Sequence, residues 1–136
     1  MARIENFFYM TENQRLDFYD KIKDNNKLVD NDFRKNLPRY SGEYLENNKN
    51  LANEFALFAK EKNCTPAQLA ISWVINQSDN IIPIPGTKRR KYLEENVNAV
   101  DVSLNLSDLE KIENILKKYP NIGPRYSQRE NNFVKK

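Results

Sequence analysis

Apolar residues recur at helical spacing along much of the chain, and the breaks between them carry recognisable start and stop signals. Leu16, Tyr19 and Ile22 follow Thr11-x-x-Gln14, a capping-box pattern, and predict a helix over residues 12–24. Residues 25–43 show no period and carry Pro38 and Gly42, so they read as a loop or a set of short turns. A connection that long in a compact domain is often functional. From residue 43 to 62, Leu51, Phe55, Phe58 and Ala59 fall along one stripe of an amphipathic helix. The next helix has a strong start. Thr65 can cap it, Pro66 takes the first helical position and Gln68 completes a capping box. Leu69, Ala70, Trp73 and Val74 then form its buried face, with Trp73 read as core packing.

A polar turn leads into "IIPIP", residues 81–85. This short β-branched run reads as a buried strand, with Pro83 and Pro85 limiting where it pairs. Gly86 breaks it and a helix begins near Lys88. Leu93, Val97 and Val100 sit at i, i+4 and i+7, which turns them toward a core. A last helix takes Ser107 as its cap with Glu110 at the capping-box position. It runs through Leu109, Ile112, Ile115 and Leu116 to Tyr119-Pro120, and residues 119–136 read as an exposed tail. There is no internal repeat.

Composition narrows the chemistry. With 136 residues there is room for one domain, and 39% hydrophobic with 30% charged residues fits a soluble globular protein. A mean hydropathy of −0.84 is polar for that class. A net charge of +3 is too small to imply a nucleic-acid partner by itself. The lone Cys64 cannot form an internal disulfide, which suits a reducing cytoplasm. No apolar run approaches the roughly 18 residues of a membrane span. The N-terminus makes a poor signal peptide. Histidine is absent, so Ser-His-Asp, Cys-His and His-ligated metal sites are excluded within the chain, and one cysteine excludes thiolate zinc sites.

The richest stretch is "NIIPIPGTKRRKYLEENVNA", residues 80–99, where an apolar run turns at Gly86 into four consecutive cations, Lys88 to Lys91. A helix start leaves backbone N–H groups unpaired, and the helix dipole adds positive charge there, so a phosphate is well served. Gly86 lets the backbone approach closely, Thr87 offers a hydroxyl, and Lys88 and Arg89 add full charges. Tyr92, Glu95 and Asn96 follow Lys88 at +4, +7 and +8 and share its helical face. An acceptor and an amide at its end suit an adenine edge. Leu93 and Val97 occupy the opposite, inward face. These residues alone leave three readings open: an anion or nucleotide site, a solvated face, or a nucleic-acid patch through "TKRRK". The last is disfavoured by the shortness of the cluster and by Glu94 and Glu95 beside it.

The segment "CTPAQLAISWVINQSDNIIPIPGTKRRKYLEENVNAVDVSLNLSDLEKI" resembles the last part of the (β/α)8 barrel of the aldo-keto reductases: the seventh helix, the eighth strand and the closing helix. Upstream, "NDFRKNLPRYSGEYLENN" resembles the loop and helix after that family's seventh strand. The likeness covers about residues 21–116, leaving residues 1–20 unmatched. It implies an α/β fold, a C-terminal fragment of a TIM barrel that is mostly helical with one clear strand; the alternative is a small, mostly α domain. It further implies that Thr87, Lys88 and Arg89, with Gly86, hold the 2′-phosphate of NADPH and that Glu95 and Asn96 meet the adenine. Tyr92 stands where other members place a polar or cationic contact, and Arg90 and Lys91 face water.

The departures from the family's pattern concern catalysis. The family's tetrad of Asp, Tyr, Lys and His lies on the first four strands, and no segment here resembles them. An eight-unit barrel needs at least about 200 residues. The resemblance therefore implies reduction of aldehydes or ketones by NADPH as the parent activity, with a small carbonyl substrate only if the missing barrel half completes the site. The competing class is a non-enzymatic nucleotide-binding or interaction module. A strand with no sheet partner exposes backbone and the core face of the helices, which predicts a marginal species that self-associates or depends on a missing fragment.

Overall fold

The computed structural model describes residues 37–124; the helix expected over residues 12–24 lies outside the described residues. A short 3-10 turn, Pro38–Tyr40, leads into α1 (Gly42–Glu61), α2 (Pro66–Ile75), α3 (Arg90–Val97) and α4 (Leu106–Lys118). A second 3-10 turn, Asn98–Asp101, extends the end of α3.

The core sits where α1, α2 and α4 meet. Phe55, Phe58 and Ala59 of α1 pack with Leu69, Ala70 and Trp73 of α2 and with Ile112 and Ile115 of α4. Leu51, Val74, Leu109 and Leu116 pack around the edge of this cluster and stay half-buried. The apolar stripes legible in these three helices therefore face one another.

Each helix boundary has a local cause. α1 stops because Asn63 adopts a left-handed conformation, φ 53°. This lets Asn63 N–H reach the Lys60 carbonyl at 3.1 Å and Cys64 N–H reach the Ala59 carbonyl at 3.0 Å. These two bonds close a Schellman motif and satisfy carbonyls that the helix would otherwise leave orphaned. α2 starts with the expected capping box: Gln68 N–H donates to Thr65 Oγ1 at 3.2 Å, and Thr65 N–H donates to Gln68 Oε1 at 3.0 Å.

At α4 the expected cap is wrong. The box is Asn105 with Asp108, not Ser107 with Glu110. Both pairs have capping chemistry, but the earlier one gains a partner from another element. Asp108 Oδ2 accepts from Asn105 N–H at 2.9 Å and from Lys62 Nζ at 2.8 Å, so one carboxylate caps α4 and ties it to the end of α1. Two further pairs, Glu61 with Lys111 and Glu54 with Lys118, continue the ladder. As the α1 number rises the α4 number falls, so the two helices run antiparallel.

The last described residues are docked. Asn48, buried on α1, donates to the Arg39 carbonyl at 3.0 Å and the Ile122 carbonyl at 3.1 Å. Arg39 Nε donates to the Gly123 carbonyl at 3.1 Å. Gly123 has φ 77° and lies against the Tyr44 ring, where a Cβ would fall 2.8 Å from ring carbon Cγ. Both constraints require glycine.

Two expectations fail around α3. The run at residues 81–87 forms no strand among the described residues. Ile82 and Ile84 are 85% and 91% exposed, while Ile81, Pro83 and Pro85 are half-buried. The alternation of a strand survives without the ladder. Pro83 and Pro85 take the donors from one edge, and no described strand lies beside the other. Likewise Leu93, Val97 and Val100 do not face the core; they are 53%, 58% and 69% exposed. Asn96 and Ala99 are the buried positions of that stretch instead. The periodicity correctly marked a helix with an apolar side, but that side meets nothing described.

Asp108 supplies a direct test of the α1–α4 tie. Hydrogen bonds from the Lys62 ammonium and then from Asn105 N–H hold its carboxyl below the ordinary value of 3.8, against the opposing effect of burial. A depressed folded-state value means that this stabilisation is present above the ordinary value and is lost as pH falls through the folded one. Asp108→Asn is expected to lower stability at neutral pH by about 1–2 kcal/mol. In denaturant titrations the gap from wild type should close as pH drops below about 4; a gap independent of pH would show that the ion pair contributes nothing.

Candidate functional site

The corner at residues 86–96 is built from a side-chain turn and an uncapped helix start. Thr87 makes the turn: its Oγ1 accepts from Arg89 N–H and donates to the Arg89 carbonyl, both at 3.3 Å. The helix begins at Arg90, two residues later than Lys88, and no side chain caps it. Its first N–H groups are therefore left for solvent or an anion. Because Lys88 lies outside the helix, its helical register with Tyr92 and Asn96 does not hold. The register among Tyr92, Glu95 and Asn96 does, since all three lie within α3.

The cations are all at the surface. Lys88, Arg89, Arg90 and Lys91 are exposed, so exposure does not separate the first two from the last two. Arg90 and Glu94 approach at 3.9 Å with both side chains in water, a pair of little energetic weight. Lys91 Nζ lies 5.7 Å from the Tyr92 ring centroid. Gly86 is exposed, Thr87 and Tyr92 are half-buried, and Asn96 is buried.

Glu95 is anchored from a second helix. Its Oε1 accepts from the Thr65 hydroxyl at 2.5 Å, linking α3 to the first turn of α2. At the other end of α2, Ser72 donates to the Val102 carbonyl at 2.8 Å. These bonds hold α3 and its 3-10 extension along α2. Spacing gave no hint of the Thr65–Glu95 contact, because 30 positions separate the partners; the sequence marked Thr65 only as a cap.

Other chemistry is sparse. Thr65 also lines an open depression of about 530 Å³ with Lys60, Cys64 and Gln68. Burial pushes the Cys64 thiol up from its ordinary value, so it is not a ready thiolate. Among the described residues no group of His, Cys, Asp and Glu could hold a metal ion. No described helix is long and apolar enough to cross a membrane.

Comparison with known proteins decides the lineage. A model of the aldo/keto reductase family matches residues 9–117, starting earlier than residue 21, where the motif likeness began. The chain belongs to the aldo/keto reductase family. It is 42% identical over 95 residues to the aldo-keto reductase yakc of Schizosaccharomyces pombe, a protein whose name specifies NADP(+). It is 43% identical over 75 residues to the probable aldo-keto reductase 1 of Glycine max. These matches cover 70% and 55% of this chain but only 28% and 22% of the relatives. The aldo/keto reductase chain thus spans about a quarter of the length of the curated relatives it matches. No solved structure matches it.

Proposed function

We propose that the chain carries the adenosine end of an NADPH site. The observation that carries this reading is the uncapped start of α3, with the Thr87 turn and the exposed Lys88 and Arg89 at its mouth. Such an end offers backbone donors, a hydroxyl and two full positive charges to one doubly charged phosphate. The yakc relative, named for NADP(+), supports the 2′-phosphate as the ligand group. Thr87, Lys88 and Arg89, with Gly86, take that phosphate. Glu95 and Asn96 meet the adenine, and Tyr92 lies between the two.

The reaction of the whole family member is reduction of an aldehyde or ketone. It needs a hydride from the cofactor, a proton donor at the developing alkoxide and a pocket for the carbonyl carbon. The cofactor supplies the hydride when bound. This chain's part is to fix the far end of the cofactor, so that binding energy remote from the chemistry holds the reacting end in place. It has no histidine to contribute to a tetrad. The exposed apolar residues Leu93, Val97 and Val100, and Ile82 and Ile84 before them in the chain, are where the remaining barrel would pack. Without that cover the chain would self-associate or depend on a further fragment. The lone thiol suits a reducing cytoplasm.

Calorimetric titration of the full chain with NADPH and NADH tests the phosphate corner. NADPH is expected to bind at least about tenfold tighter, because charge-assisted contacts to the phosphate are worth roughly 1.5–3 kcal/mol. Lys88→Ala with Arg89→Ala should abolish the difference. Equal binding of both cofactors by wild type would overturn the reading. The isolated chain should show no sustained NADPH oxidation with a panel of aldehydes; turnover that persists through purification would show that it holds a working proton donor.

A further inference from the structure

Glu95 is held from behind by a hydroxyl whose hydrogen bonding is fully determined. A carboxylate has no proton to give, so in the 2.5 Å contact Thr65 Oγ1 must donate and Glu95 Oε1 must accept. The same oxygen uses a lone pair to accept Gln68 N–H at 3.2 Å. A hydroxyl has one proton and two lone pairs, so the capping bond leaves that proton for Glu95. Thr65 cannot easily turn away. Its own N–H is tied to Gln68 Oε1 at 3.0 Å, its β-branched side chain has few rotamers, and Pro66 follows it. The carboxylate also lies at the N-terminal end of α2, where the helix dipole favours negative charge.

The consequence falls on the second oxygen. Glu95 is half-buried, and its Oε2 makes no hydrogen bond among the described residues. With Oε1 engaged by Thr65, Oε2 keeps its lone pairs for an outside donor. We infer that Thr65 is a positioning residue for adenine: it aims Glu95 so that Oε2 takes the 6-amino group of the base. Thr65 touches no ligand itself. This rests on the reading of Glu95 and Asn96 as the adenine contacts, and it adds the α2 cap as the element that sets their selectivity. The site then recognises an amino-bearing purine, and a purine with a carbonyl oxygen at position 6 meets repulsion from the carboxylate.

The test compares NADPH with its hypoxanthine analogue, which keeps the 2′-phosphate, by calorimetry on the full chain. Wild type should favour the adenine form by about tenfold, the value of one hydrogen bond to a charged group. Thr65→Ser keeps both cap and proton and should retain the preference. Thr65→Asp keeps a good cap but brings no proton and sets a charge beside Glu95; its preference should fall to within about twofold of unity. Its preference for NADPH over NADH should persist, which separates aiming from general loss of structure. A Thr65→Asp chain that keeps the adenine preference overturns the inference, and so does one that loses both preferences together with its melting transition. A wild type that binds NADPH over NADH but ignores the base also overturns it while leaving the phosphate corner standing. A wild type indifferent to the 2′-phosphate instead overturns the reading on which it rests.

Discussion

Ala59, Leu69 and Ile112, one each from α1, α2 and α4, have no exposed surface and belong to one buried cluster that joins these helices. Everything else is hung on it. Interiors pack at near-crystalline density, so a crossing of this kind admits few alternative registers. The polar ties follow from it rather than cause it. Once α1 and α4 run antiparallel, Lys62 reaches Asp108 and Glu54 reaches both Lys118 and Tyr119. Exposed pairs of this type add little singly; the half-buried Lys62–Asp108 pair matters more because it also caps a helix.

α3 depends on the core differently. It and its 3-10 extension are tied to α2 by two hydroxyl bonds, Thr65 to Glu95 and Ser72 to the Val102 carbonyl, and α3 leaves its larger apolar side chains in water. In a family built as a (β/α)8 barrel, of which the chain spans about a quarter of its relatives' length, an uncovered side is the natural result. The corner proposed for the cofactor thus lies between the buried cluster of α1, α2 and α4 and the exposed apolar residues of α3.

How much could be read in advance follows the same division. α1 and α2, their shared stripe and the Thr65–Gln68 box were legible because local periodicity and local caps decide them. The start of α4 was assigned to the wrong pair, Ser107 with Glu110, because only Lys62, 46 positions before Asp108, favours Asn105 with Asp108. The strand at residues 81–85 was misread because a strand exists only with a partner, and sequence pattern gives the alternation without the ladder. Leu93, Val97 and Val100 were placed on the right helix and the wrong side of the boundary, for periodicity names a face but not what covers it. The candidate ligand groups were visible as a motif. The contact that aims Glu95 was not, because it joins residues 30 positions apart.

The central claim is that the entry to α3 is shaped for a 2′-phosphate. Amide chemical shifts measure this residue by residue when 2′,5′-ADP and 5′-ADP are titrated into the labelled chain. The 2′-phosphorylated nucleotide should move the amides of residues 86–91 in a saturable way, while 5′-ADP leaves them nearly unchanged. Equal shifts from both nucleotides, or shifts spread over the lysines of α1 and α4, would contradict it.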